Sequence, residues 1–150
     1  MTLAGGKGYD MSMERRDLTI TQSGRLIDLS RPRLLPSLED IAVGLVRLPR
    51  FTGQTRPGPI LNVLGHSLVV AALLEQKYNN PKKTLAGLLH DSAEALTGDI
   101  PSPQKTRANE ARERKLLRRL FLAYGLPVGR GAHKPAWLAW ADDEALRIER

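Results

Sequence analysis

The segment LLHDSAEALTGD, Leu88–Asp99, decides how the rest of the chain is interpreted. It places one histidine and three carboxylates in a stretch whose apolar residues otherwise predict a buried helix. On a helix, residues three or four positions apart share a face, so His90, Asp91 and Glu94 are expected to converge near its C-terminal end. The third carboxylate, Asp99, follows directly after the helix.

Crowded carboxylates at this place are unfavourable unless something compensates their charge. The C-terminal end of a helix carries partial negative charge, and burying unpaired carboxylates there costs on the order of several kcal/mol. A bound cation removes this cost. Imidazole and carboxylate together suit divalent transition metals such as Mn, Fe, Co, Ni or Zn. The segment therefore predicts a metal site.

Two further segments supply candidate ligands for such a metal. His66 lies in the apolar stretch NVLGHSLVVAALL, and Asp142 lies in LAWADDEAL. Three antiparallel helices could bring His66, the His90-Asp91 pair and Asp142 to one point. Each residue alone has a plainer interpretation, since a lone histidine in an apolar helix is usually a core residue and Asp142 with Asp143 could form a solvated face. Only the combination predicts a metal.

The remaining sequence predicts an all-α bundle of about five helices after a short hairpin. Alternating apolar residues between Leu18 and Leu29 indicate the hairpin. Ser37 and Asp40 have capping-box spacing and begin a helix that should end near Pro49. Gly98 is a candidate helix C-cap. The other helices are predicted at residues 60–78, 82–96, 104–124 and 136–150. Residues 1–16 are expected to form a loose arm, and residues 17–150 to form one domain.

Composition limits the class of protein. The chain has 150 residues and is 41% hydrophobic, which fits one globular domain. It has no cysteine, which excludes disulfides and thiolate metal sites. It shows neither a membrane-length apolar run nor the apolar middle of a signal peptide, so we expect a cytoplasmic protein without a membrane partner. The net charge of +7 suits a polyanion, either a nucleic acid or a phosphorylated small molecule.

A basic segment offers a rival interpretation, a helical protein that binds nucleic acid. Seven basic residues lie on or beside one predicted helix, namely Lys105, Arg107, Arg112, Arg114, Lys115, Arg118 and Arg119. Binding through this face would depend steeply on salt. A solvated helix face explains the same residues, and we favour it, so a nucleic acid is not the expected partner.

The order of a histidine, an HD dipeptide and an aspartate resembles the signature of HD-domain metal-dependent phosphohydrolases. The segments SLEDIAVGLVRLPRFTGQTR, GHSLVVAALL, LLHDSAEALTGDIPSPQK and ADDEALRIER resemble blocks of one subgroup. This subgroup comprises bacterial HD-domain 5′-deoxynucleotidases and small phage HD proteins, including phage dATP phosphohydrolases. The resemblance covers residues 23–150. It implies an HD-domain helical bundle, and the group leads us to expect a further C-terminal segment after Arg150.

The resemblance also implies roles for individual residues. The four metal ligands would be His66, His90, Asp91 and Asp142. The catalytic acids would be Glu94 and Asp99, and the substrate-binding residues would be Arg50, Phe51 and Lys105. Phe51 stands where the bacterial deoxynucleotidases often have Trp. One divalent transition metal, Mn, Co, Zn or Fe, is expected, with room for a second ion on the substrate phosphates.

The function expected from this resemblance is hydrolysis of deoxynucleoside phosphates. A dATP-like triphosphohydrolase would release nucleoside and tripolyphosphate, whereas a 5′-deoxynucleotidase would act on monophosphates; the ligand set does not decide between them. An HD scaffold without metal is not favoured, because every signature position is filled. We expect a homo-oligomer that acts on a small-molecule deoxynucleotide in a bacterial cell or a phage-infected host.

Overall fold

A computed structural model describes residues 17–128 and 134–150 of the chain. It confirms a mostly helical architecture preceded by a two-stranded antiparallel hairpin. The predicted arm at residues 1–16 lies outside the described residues. The strands are β1 (Leu18–Ile20) and β2 (Leu26–Asp28), and the helices are α1 (Leu38–Arg47), α2 (Val63–Tyr78), α3 (Pro81–Leu89), α4 (Glu94–Thr97), α5 (Arg107–Ala123) and α6 (Ala136–Glu149).

The buried carboxylate of Asp40 connects the hairpin to the first turn of α1 through hydrogen bonds. Ser37 caps α1 and Asp40 completes the predicted capping box. The Asp40 carboxylate also accepts hydrogen bonds from the backbone N–H and the hydroxyl of Ser23, at 3.1 and 2.9 Å. Burial by itself would raise the pKa of Asp40, but the hydrogen bonds from Ser23 and Ser37 outweigh it and hold the pKa well below its usual range. Asp40 therefore fixes the hairpin against α1.

Helix α2 is the central element of the bundle, since it packs against α1, α3 and α6. Its residues Val70 and Leu74 are fully buried against α6. A second apolar cluster joins the hairpin, α1 and α5, and a third joins α3 to α5. This packing directs one face of α2 towards both the C-terminal end of α3 and the length of α6.

Helices α2 and α3 pack closely against each other at Gly87. A Cβ atom at this position would lie 2.6 Å from Leu74 Cδ1 and 3.2 Å from Ala71 Cα. Because both distances are shorter than ordinary van der Waals contact, a side chain at this position would force Leu74 and the backbone of α2 to shift. The close approach brings His90, at the end of α3, beside α2.

Replacing Gly87 with alanine is expected to lower the free energy of unfolding by about 1 to 3 kcal/mol, the usual cost of overpacking a core. Gly65→Ala is the matched control, because a Cβ there meets only the Asn62 side chain, at 3.4 Å. That control should gain about 0.5 to 1 kcal/mol from reduced backbone entropy. Denaturant unfolding measures both variants. A Gly87→Ala variant as stable as the wild type would contradict the close packing.

The predicted continuous helix at 82–96 is wrong, because α3 ends at Leu89 and a turn separates it from the four-residue α4. Within this turn, Ser92 N–H bonds the Leu89 carbonyl and Glu94 N–H bonds the Asp91 carbonyl, three residues back rather than four. The His90 ring lies 2.7 Å from the Gly87 carbonyl, which the Asp91 amide would bond in a continued helix. The side chain of His90 therefore competes with the helix for this carbonyl.

Local capping explains where the other predicted helices begin and end. Asn62 caps α2 by accepting a hydrogen bond from Gly65 N–H at 2.8 Å, so α2 starts after the predicted residue 60. Thr106 caps α5 in the same way. The predicted C-cap Gly98 is confirmed by its positive φ of 86° and by its bond to the Glu94 carbonyl. Among the described residues, no helix combines the length and apolarity needed to cross a bilayer.

Candidate metal centre

Two histidines and an aspartate from two distant segments of the chain form a compact group. His66 comes from α2, and His90 and Asp91 follow the end of α3; one ligand atom of each lies within 4.8 Å of the others. Asp91 Oδ2 is 3.1 Å from His90 Nε2 and 3.7 Å from His66 Nε2. Both histidines are 2% exposed. His66 and the HD pair thus lie together, although the continuous helix predicted at residues 82–96 is broken at the HD pair.

Asp142 on α6 approaches the same two imidazole rings. Its Oδ1 atom is 2.9 Å from His66 Nε2 and 3.7 Å from His90 Nε2. Its other oxygen accepts a hydrogen bond from Lys134. No such contact is described for Asp143, which is exposed. Of the two adjacent aspartates, Asp142 is therefore the one that reaches the histidines.

Hydrogen bonds on the far side of each ring set which nitrogen faces the group. His90 Nδ1 must donate to the Gly87 carbonyl, which can only accept. Its Nε2 atom is buried and has no hydrogen-bond partner among the described residues. His66 Nδ1 likewise lies 2.7 Å from Glu149 Oε1. In the neutral rings both Nε2 lone pairs then point at the Asp91 and Asp142 carboxylates, a donor set that fits a divalent transition metal.

The shifted pKa values of these residues also indicate that positive charge is favoured between them. Burial lowers the pKa of His90, but Asp91 and Asp142 outweigh burial and raise it to about 9. Burial raises the pKa of Asp91, but His90 outweighs burial and holds it below its usual range. Burial raises the pKa of Asp142, but its contacts with His66 and His90 and the charge of Lys134 outweigh burial and hold it below its usual range. A divalent cation bound here would supply the positive charge that a proton on His90 otherwise supplies.

Glu94 lies one turn beyond the HD pair and is 8% exposed. Burial raises its pKa to about 9, and the nearby charges of Asp91 and Asp99 add to the effect. Lys105 Nζ is 3.6 Å from Glu94 Oε1 and 2.8 Å from Glu113 Oε2. Burial also raises the pKa of Asp99, although Arg50 opposes it. These groups form an acidic and basic cluster directly beside the histidines.

Arg50 and Phe51 lie in a 3₁₀ turn at Arg50–Gly53. Phe51 and Thr52 both have left-handed backbone conformations, with φ of 53° and 54°. This conformation is costly for residues other than glycine and concentrates at functional sites. The Arg50 guanidinium lies 5.0 Å from the centre of the Phe51 ring and 3.9 Å from Asp99 Oδ2. The strained turn thus presents an arginine and an aromatic face together.

The cluster opens into a pocket of about 870 Å³, a volume typical of small-molecule sites. Every predicted site residue lines this pocket except His66, which lies buried behind it. Among the lining residues that the structure describes, seven are carboxylates and five have basic side chains. The excess of carboxylates is a second reason why a divalent cation fits here.

The HD domain family model matches residues 51–136, more than half of the chain. The chain belongs to the HD domain family. The match contains His66, His90, Asp91 and Glu94, and it ends before Asp142. An uncharacterized protein of Rhodobacter capsulatus is 33% identical over 135 residues, which cover 85% of this chain and 68% of that protein. HD domains are in general metal-dependent phosphohydrolases, and the His66, His90 and Asp91 group fits that chemistry.

Three residues of this HD domain site were not found from the sequence. Glu149 bonds His66 and Arg50, Lys134 bonds Asp142, and Glu113 bonds Lys105. Glu149 had a signal, because it lies seven residues after Asp142 and two helical turns place both on one face. Lys134 and Glu113 had none, since Lys134 precedes α6 and Lys105 precedes α5, so helical spacing does not predict either contact.

Proposed function

We propose that this HD domain hydrolyses deoxynucleoside phosphates with the help of a divalent transition metal. The observation that carries the proposal is the His66, His90 and Asp91 group, which opens into a pocket that also contains Glu94, Arg50 and Lys105. Asp142 is proposed as the fourth ligand because its Oδ1 approaches both imidazole nitrogens. A metal held there supplies Lewis-acid activation of water and of the phosphate.

Glu94 is proposed as the group that moves a proton during hydrolysis. It is buried, it lies beside the ligands, and its raised pKa lets it hold a proton near neutral pH. Lys105 approaches Glu94 at 3.6 Å and stabilises its ionised form once the proton has left. Asp99 also lines the pocket, 3.9 Å from Arg50 Nη1, and is proposed as a second acid.

Binding of phosphate is assigned to the basic side chains of the pocket. Arg50 presents a guanidinium fork, which matches phosphate geometry, and Lys105 adds a compact charge. Three further basic side chains line the pocket, namely Arg114, Lys134 and Arg150. The net charge of the chain, +7, favours a polyanion, so we place a triphosphate such as dATP ahead of a monophosphate. Resemblance to small phage HD proteins supports the same order. A 5′-deoxynucleotidase acting on monophosphates is the alternative.

Phe51 supports the preference for a deoxyribose. Its ring has no hydrogen-bonding atom, so a sugar packed on it would leave a 2′-hydroxyl buried without a partner. Such a group costs about 1 to 3 kcal/mol, equivalent to roughly a 5- to 150-fold preference for dATP over ATP. Steady-state kinetics on matched ribo- and deoxynucleotides measure this ratio, and Phe51→Ala should reduce it. Equal kcat/KM for ATP and dATP would contradict deoxyribose selectivity.

Product analysis distinguishes the two reactions. Hydrolysis at the α-phosphate of dATP yields nucleoside and tripolyphosphate, whereas a monophosphatase yields nucleoside and inorganic phosphate from dAMP. Both substrates should be tested with Mn, Co and Mg. Release of phosphate from dAMP, without tripolyphosphate from dATP, would assign the chain to the monophosphatase alternative.

A further inference from the structure

Glu149 is a buried carboxylate in the last turn of α6 whose two oxygens serve different partners. Oε1 lies 2.7 Å from His66 Nδ1. Oε2 accepts hydrogen bonds from Arg50 Nε and Nη2, at 3.3 and 3.2 Å. Its side chain is 6% exposed. One residue thus bridges the metal-ligand group and the arginine assigned to phosphate binding.

Towards His66, the carboxylate acts on the orientation of the ring. An ionised carboxylate only accepts, so His66 Nδ1 carries the proton and Nε2 presents its lone pair to Asp91 and Asp142. Without an acceptor at Nδ1, the ring is free to adopt the other tautomer or to turn away. Residues that orient a ligand in this way commonly change metal affinity by about 10- to 100-fold.

Towards Arg50, the carboxylate fixes one side of the guanidinium. Arg50 lies in the strained turn at Arg50–Gly53, between α1 and α2. Two of its nitrogens bond Glu149, and Nη1 is 3.9 Å from Asp99 Oδ2. Glu149 therefore anchors the arginine to α6, the same helix that carries Asp142.

We propose that Glu149 is a positioning residue that couples the metal-ligating geometry of His66 to the phosphate-binding geometry of Arg50. This inference rests on the function proposed above. It assigns Glu149 no contact with the reacting atoms. It predicts that one substitution on α6 weakens two separable properties, metal affinity and substrate binding.

The test compares Glu149→Ala and Glu149→Gln with the wild type. Metal affinity is measured without substrate, by competition with a coloured chelator, and KM and kcat are then measured at saturating metal. Glu149→Ala should weaken metal binding by about 10- to 100-fold and raise KM. Glu149→Gln should keep metal affinity close to wild type, because its amide oxygen still accepts from His66 Nδ1. Its KM should nevertheless rise, because Arg50 loses its carboxylate.

Glu144→Gln is the matched control on the same helix. Within the described part of the chain, Glu144 pairs with Arg147 alone, at 3.5 Å on the surface, so this variant should leave metal affinity and KM unchanged. A role limited to stability would lower the melting temperature of the Glu149 variants without separating metal affinity from KM.

The outcomes distinguish this inference from the proposed function. Unchanged metal affinity and KM in Glu149→Ala, in a wild-type background that binds metal, would overturn the inference alone. If Glu149→Ala does not fold, the nearly isosteric Glu149→Gln decides, and an unchanged KM overturns the coupling. A wild-type chain that binds no transition metal would overturn the proposed function and the inference together.

Discussion

Replacing Asp91 with alanine is expected to abolish metal binding and, with it, hydrolysis. The Asp91 carboxylate lies 3.1 Å from His90 Nε2 and 3.7 Å from His66 Nε2, so it completes the donor set between the two rings. Losing a ligand should cost more than the roughly 100-fold upper range for residues that only orient one. Elemental analysis of protein purified without chelator measures the metal content directly.

Asp143→Asn is the control for this prediction. Asp143 lines the same pocket beside Asp142, but no contact with either histidine is described for it. The control should retain metal, and added metal should raise its melting temperature as it does for the wild type, because a ligand that binds only the folded state stabilises that state. The Asp91→Ala variant should show no such increase. Undiminished metal content in a folded Asp91→Ala protein would contradict the assignment of Asp91 as a metal ligand.

Glu94→Gln is expected to keep the metal and to lower kcat by about 10²- to 10⁴-fold, the usual contribution of a group that transfers a proton. The amide is close to the carboxylate in size, but it cannot exchange a proton in the same way. Glu94 is not part of the His66, His90 and Asp91 group, so metal content should be unaffected. Parallel measurements of kcat and metal content on one preparation test both parts of the prediction.

Glu110→Gln supplies the comparison, because Glu110 is an exposed carboxylate in the lining of the same pocket. It should retain nearly full kcat. If Glu94→Gln loses its metal instead, Glu94 is a ligand and its assignment as the proton-transfer group is wrong.

Local patterns were enough to predict most of the fold. The capping box of Ser37 and Asp40, the hairpin before it and the cap at Gly98 each depend on neighbours within a few residues, so the sequence contains the whole signal. The break after α3 does not have this property. It depends on the His90 ring bonding the Gly87 carbonyl, and the apolar pattern of a continuous helix is unchanged by that bond.

Site residues could be predicted where a residue type suited to metal binding occurs at a position that the apolar pattern assigns to the core. His66 and the HD pair stand out because polar residues interrupt apolar stretches, and the structure brings their ligand atoms together. Glu149 lies seven residues after Asp142 on the same helix face, but that spacing does not identify the partners of Glu149. Its partners are side chains in distant segments, and only the docking of α6 reveals them.

The bonds made by Glu149 have a consequence for the order in which the native structure forms. They join residues 83 and 99 positions apart, whereas α2 and α3 are consecutive and form their contacts through a short connection. Contacts between distant segments require closure of long loops, and proteins that depend on them fold more slowly. The α2–α3 pair can therefore associate early, but the complete ligand geometry appears only when α6 has docked. The rate of metal uptake by a refolding chain consequently reports the docking of α6.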